Sequence, residues 1–183
     1  WPERPLRLIV AYPPGGGTDI MARAFAQRLQ AELGQPVVVE NRGGGSGSVG
    51  MQAGASAPPD GYTLTFISTN EMSLQPLLDR RLPYDPERDF EPISGLGTAP
   101  VVLAVNARVP ARDIAELIAL ARSQPGRLSY ASAGTGGVMH LTGEMFRHRA
   151  GIDILHVPYR GAAPAVTDTA SGTVQMVFMG LPP

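Results

Sequence analysis

The junction between Leu6-Arg-Leu-Ile-Val-Ala-Tyr12 and Pro13-Pro-Gly-Gly-Gly-Thr-Asp19 constrains the fold more than any other stretch of this chain. A short apolar run rich in β-branched residues reads as a buried strand. The residues after Asp19 read as a helix: Met21, Phe25, Leu29 and Leu33 recur on one face, with Ile20 and Ala24 beside them. Three glycines between strand and helix bring bare backbone close to whatever lies above the turn. The helix behind them directs its free N–H groups and the positive end of its dipole to the same place. Such a turn holds an anion. It carries no lysine, so it is not a nucleotide P-loop.

Composition narrows the chemistry. With 43% hydrophobic and 17% charged residues in 183, the chain has the balance of a water-soluble α/β protein with one large core or two small ones. No apolar run reaches the length of a membrane span. A net charge of −1 gives no electrostatic footprint for nucleic acid or for anionic lipid. All 15 basic residues are arginine, which removes lysine Schiff-base chemistry, and the absence of cysteine removes thiol nucleophiles, disulfides and thiolate metal sites. Residue 1 is Trp and no signal peptide is visible, so a processing or cloning boundary is expected before it.

Strand and helix signals alternate, which predicts a parallel α/β arrangement. Gly34 ends the first helix and Val37-Val-Val-Glu40 is the second strand. A glycine-rich stretch from Asn41 to Gly50 feeds a short helix ending near Ala57, and Tyr62–Ile67 is the third strand. Leu82 to Pro92 reads as an irregular connection; Ile93–Gly97 and Val101–Val105 read as extended. A helix is expected from Asp113 to before Pro125, then strand Leu128–Ala131 and a helix carrying Met139, Leu141, Met145 and Phe146. Strand Ile154–Val157, a helix through Ala170 and strand Val174–Phe178 complete the pattern. Met139, Met145, Met176 and Met179 are expected to fill core space. The expected lobes are residues 1–98 and 99–183.

Four strand exits are small and polar: Pro14–Thr18, Ser68–Asn70, Ser132–Gly137 and Tyr159–Gly161. Ligands of open α/β sheets sit beyond the carboxyl ends of strands. Two exits fall in each expected lobe, the layout of a cleft between two domains.

Five motifs together resemble one family: Tyr12-Pro-Pro-Gly-Gly-Gly-Thr-Asp19, Val39-Glu-Asn-Arg42, Pro59-Asp-Gly-Tyr62, Tyr130-Ala-Ser-Ala-Gly134 with His140-Leu141, and Val157-Pro-Tyr-Arg-Gly161 with Pro164-Ala165. The chain resembles the Bug family, the extracytoplasmic solute receptors of tripartite tricarboxylate transporters. The resemblance implies an α/β, type II periplasmic-binding-protein fold with two Rossmann-like lobes and a ligand cleft between them. It implies export to the periplasm, capture of a small carboxylate, and delivery to a membrane permease or report to a sensor protein. Neither nucleic acid nor membrane insertion is implied, and no cofactor. The family's chains continue past position 183 and return to the first lobe; that return is missing from these residues. The ligand contacts implied in the first lobe are Tyr12, Pro14, Gly16, Gly17 and Thr18 from the glycine turn, with Thr69 and Asn70. Those implied in the second lobe are Ser132, Gly134, Thr135, Gly136, His140, Tyr159 and Arg160.

Plainer roles compete at several of these positions. Thr18 is expected to cap the first helix, and Asp19 to stabilise its first turn. Gly45-Ser-Gly-Ser-Val-Gly50 fits G-x-G-x-x-G but lacks the strand-end context of a dinucleotide fingerprint. No G-x-S-x-G elbow surrounds Ser132, and no catalytic residue is assigned. An enzyme would need a hydroxyl–histidine pair, such as Ser132 with His140 or Ser68 with His156. His156 is expected to be a satisfied core histidine and His148 a solvated one; the three histidines lack metal-ligand spacing, so no metal is expected. Arg160 either faces a ligand or pairs with a surface carboxylate.

Overall fold

The computed structural model describes residues 1–79 and 81–181. Two units are distinguished, Trp1–Ala99 and Pro100–Leu181.

In the first unit β1 (Leu6–Val10) is the middle strand of a parallel three-stranded sheet, and its residues show why. Leu6, Leu8, Ile9 and Val10 are all buried, the near-continuous apolar run of a strand covered on both faces. Each such side chain contributes roughly 1.5–3 kcal/mol on leaving water. Helix α1 (Gly17–Leu33) follows and ends at Gly34, whose N–H returns to Gln30 O at 3.0 Å. Its buried stripe is centred on Ala22 and Ala26, with Met21, Phe25, Leu29 and Leu33 flanking them against the sheet. Ile20 and Ala24, expected beside that stripe, are exposed, because the small alanines let the helix sit close and turn its other face out.

Strand β2 (Val37–Asn41) pairs with β1 in the register Leu8 to Val39, and β3 (Thr63–Phe66) pairs on the other side with Leu8 to Leu64. Between them lie a 3₁₀ turn, Gly45–Gly47, and α2 (Ser48–Ala55). Beyond β3 the chain makes a π-helical turn, Asn70–Leu74, that runs into α3 (Gln75–Leu78); neither was anticipated. Residues 93–97, expected to be extended, join no ladder and are exposed. They lie among Pro92, Gly95, Gly97 and Pro100 and have no strand beside them.

The second unit holds β4 (Val101–Val105), α4 (Ile114–Ser123), β5 (Ser129–Ser132), α5 (Val138–Ala150), β6 (Leu155–Pro158), α6 (Ala162–Ser171) and β7 (Met176–Gly180). The sheet order is β4-β7-β5-β6. β5 lies parallel to both β6 and β7, but β4 runs antiparallel to β7, Leu103 opposite Phe178. The all-parallel expectation therefore fails at this edge. Tyr130, Met176, Phe178, Leu117, Ile152 and Ile154 form the main core. Met176 is fully buried and Met139 and Met179 pack at the core's margins, whereas Met145 is half exposed and does not fill core space.

Candidate functional site

The turn after β1 is built by Asp19. Its carboxylate is buried and accepts from Gly15 N at 2.9 Å, Arg23 Nε at 3.0 Å and Asn41 Nδ2 at 2.8 Å. Burial pushes this carboxyl up, but the bonds from Arg23, Gly15 and Asn41 outweigh it and hold the group below the usual aspartate range. Asn41 Nδ2 also donates to Tyr12 O at 2.9 Å, so the turn is clamped from β2. α1 begins at Gly17 with Gly16 as its cap, and no side chain bonds the cap position. Thr18, expected to cap the helix, lies inside its first turn and does not. Asp19 serves the loop more than the dipole. Gly16, Gly17 and Thr18 are partly exposed and Pro14 is exposed.

The exit of β3 lies on a buried carboxylate that the sequence pattern did not flag, Glu71. It is fully buried and accepts from the Tyr12 hydroxyl, from Ser68 N at 2.7 Å and Ser68 Oγ at 2.9 Å, and from Asn70 Nδ2 at 3.3 Å. Burial, then the Glu71 charge and hydrogen bond, raise the Tyr12 phenol far above its ordinary pKa. With its proton committed to Glu71, Tyr12 offers an incoming acid its ring and not a donor. Asn70 is buried too, and its amide donates to Ser46 O at 2.8 Å. Thr69 is exposed between them. Of the residues expected in this unit, Tyr12 and Asn70 thus come together at Glu71. Their polar atoms are largely engaged within the protein.

In the second unit the turn from Ser132 to Gly137 is held by histidines. Ser132 is fully buried; its hydroxyl lies 3.0 Å from Gly134 O and 2.7 Å from His156 Nε2. Gly136 N donates to His140 Nδ1 at 3.1 Å. The two imidazoles lie 4.1 Å apart between ring centroids, and His156 stacks on Tyr130 at 5.0 Å. Tyr130 OH in turn donates to Glu144 Oε1 at 2.8 Å. Burial, then the neighbouring His140, lower His156 to about 4, so it is neutral near pH 7. His156 is the satisfied histidine expected, and His148 is exposed.

The hydroxyl–histidine pairs named for an enzyme are not the one found: Ser132 meets His156, not His140. Ser132 Oγ is within hydrogen-bond distance of both Gly134 O and His156 Nε2, and which of them takes its proton follows the tautomer of His156. The contact braces a turn. Among the described residues no group of three or more acidic or histidine side chains is arranged to hold a metal ion.

Tyr159 and Arg160 follow β6. Tyr159 OH donates to Asp168 Oδ2 at 2.7 Å; burial and that carboxylate raise the phenol to about 12. Tyr159 N donates to Ser132 O, which ties the β6 exit to the β5 exit. Arg160 is exposed and forms no hydrogen bond or ion pair among the described residues, so the pairing alternative is not seen. Thr135 is exposed, and Gly134, Gly136 and His140 are half-buried around it.

The helix starts share one feature. α1, α5 and α6 all begin on glycine, at Gly16, Gly137 and Gly161, with no side-chain cap bond. Each follows the carboxyl end of a parallel strand. α4 follows the antiparallel edge strand, and there Asp113 caps the helix by accepting from Glu116 N at 2.8 Å. α2, which starts on Gly47, and α3, which starts on Leu74, also lack a side-chain cap. The main-chain donors at Gly16, Gly137 and Gly161 therefore stand out by their place at parallel-strand exits and not by the missing cap alone.

Two α/β units with uncapped helix starts at parallel-strand exits fit the periplasmic-binding-protein class. Residues 21–183 match the family model described as tripartite tricarboxylate transporter family receptor, and the chain belongs to that family. It is 40% identical to Protein BugT of Bordetella pertussis, over 100% of this chain and 56% of that protein. The structure of the periplasmic binding protein BugD superposes with TM-score 0.93 at 34% identity, covering 98% of this chain and 60% of that one. An R. palustris protein solved with adipate gives 0.93 at 35%, over 99% and 60%. MatC from Rhodopseudomonas palustris with bound malate gives 0.90 at 29%, over 98% and 61%. The chain spans about half the length of the curated relatives it matches. The family consists of solute receptors and not of enzymes. No helix among the described residues is long and apolar enough to cross a membrane.

Proposed function

We propose that this protein captures a small carboxylate in the periplasm and delivers it to the membrane permease of a tripartite tricarboxylate transporter. The observation that carries the reading is the set of uncapped glycine starts at α1, α5 and α6, each directly beyond the carboxyl end of a parallel strand. Main-chain N–H groups at Gly16, Gly17 and Thr18, and at Gly137, hold carboxylate oxygens at positive helix ends, while Gly136, whose N–H is given to His140 Nδ1, shapes the second turn. Pro14, Gly134, Thr69, Thr135 and His140 border these donors; Ser132 shapes the turn from behind. Tyr12 and Tyr159 supply ring surface, Asn70 the support beneath Tyr12, and Arg160 an exposed cation beside the β6 exit. The adipate and malate found in two related structures belong to the same chemical class.

Calorimetric titration of the full chain with adipate, malate, monocarboxylates and uncharged amides of matched size tests this. Saturable binding of at least one acid, with its amide inactive, is expected. A full chain that is folded and takes none of the acids would overturn the reading.

A further inference from the structure

Glu71 is a fully buried carboxyl group that, among the described residues, has no cationic partner and is met by neutral donors. Removing a charge from water without an ion partner is costly, and a packed apolar side chain is usually the more stable solution. What the carboxylate does here is gather three separate loops. Tyr12 comes from the exit of β1, Ser68 and Asn70 from the exit of β3. Through Asn70 Nδ2 and Gln75 Nε2, both donating to Ser46 O at 2.8 and 3.2 Å, the β2 side is drawn in as well. Tyr84 OH fixes the Glu71 backbone by donating to its carbonyl at 2.7 Å.

Two details fit the same role. Gly47 has φ 103° and abuts the Glu71 side chain, so that a Cβ there would lie 2.7 Å from Glu71 Cγ; the loop closes on the carboxylate only without one. Asn70 Oδ1 is buried without a protein donor among the described residues. Flipping the amide would turn Oδ1 toward Ser46 O and Glu71, three acceptors together, so the orientation is fixed by its neighbours.

We infer that Glu71 is a positioning residue for acid binding: by holding Tyr12, Ser68 and Asn70 it fixes the exits of β1, β2 and β3 as one unit, so the Tyr12–Thr18 turn grips its ligand only while Glu71 is in place. This rests on the carboxylate-receptor reading above. Glu71 touches no ligand itself; it acts through Tyr12.

The test uses the full chain with Glu71→Gln, Tyr12→Phe and the double variant. Hydrogen exchange is read without ligand, and affinity is read with adipate and malate. Glu71→Gln is expected to speed exchange across residues 12–18 and 45–47 by about tenfold or more while residues 138–150 stay unchanged. It should weaken acid binding by about tenfold, and adding Tyr12→Phe should cost less than about twofold more, because both remove one coupled interaction. Unchanged exchange in 12–18 and 45–47, or affinity losses that multiply independently, would overturn the inference. Tyr12→Phe keeps the test open should Glu71→Gln fold poorly, since its own exchange pattern must match. If the wild-type chain binds neither adipate nor malate, affinity is read with whichever acid the calorimetric titration finds; if it takes none, the receptor reading fails, while the exchange pattern still decides whether Glu71 fixes these loops.

Discussion

Asn41 Nδ2 sits 2.8 Å from Asp19 Oδ1 and 2.9 Å from Tyr12 O, so one amide at the end of β2 closes the turn at the end of β1. The same asparagine accepts from Arg23 through Oδ1 at 2.9 Å. Both polar atoms of its side chain are therefore used on the β1 exit and the first turns of α1.

Replacing Asn41 with Ala leaves Asp19 and the Tyr12 carbonyl short of a donor in a partly buried place. A loss of about 1–3 kcal/mol is expected. Urea unfolding of the variant measures it, and acid affinity should fall alongside because the turn loosens. Unchanged stability would show that water replaces the amide.

Gly143 lies in α5, where alanine ordinarily helps by about 0.5–1 kcal/mol. Here an added Cβ would come 2.6 Å from Tyr130 Cζ, inside the main core. The clash reverses the sign, and Gly143→Ala is expected to destabilise by roughly 1–3 kcal/mol. A melting temperature equal to or above wild type would contradict the packing described.

His156 makes stability depend on pH. Its folded pKa, about 4, lies below the ordinary 6.5. The unfolded state therefore binds the proton more readily, and stability rises with pH across this interval. Above about 6.5 the group is neutral in both states and contributes no slope; as pH falls from there toward 4, stability is lost. Denaturant midpoints recorded from pH 7 to pH 4 should show that decline. His156→Gln, which retains a donor toward Ser132, should flatten it.

Asp113 is the control for the uncapped helices. Asp113→Ala should cost about 1 kcal/mol through the lost cap of α4, with acid affinity unchanged. A drop in affinity equal to that of Arg160→Ala would indicate that α4 belongs to the site.

The first unit's scaffold was legible because its information is local. An apolar run, three glycines and a periodic helix stand next to one another, and Gly34 marks the helix end. Two features of α1 escaped that reading. Ile20 faces water because the alanine stripe decides which side packs, and Thr18 lies two residues past the cap position at Gly16. The antiparallel edge of the second sheet was invisible for a different reason. The direction in which β4 meets β7 is set by how the chain returns after α6, and their own residues read equally well in either direction. Glu71 carries no signature either. Its partner Tyr12 is 59 positions away, and a lone acidic residue after a strand looks like any solvated one. Ser132 and His156, 24 positions apart, were singled out separately but not as a pair, since adjacent strands β5 and β6 bring them together only in the folded sheet.

The account stands on main-chain donors at uncapped helix starts, and amide NMR reads those donors directly. On titrating the ¹⁵N-labelled full chain with a bound dicarboxylate, the N–H resonances of Gly16, Gly17, Thr18 and Gly137 should move downfield, well beyond those at the start of α4. Shifts confined to other amides, with these four unmoved at saturation, would contradict it.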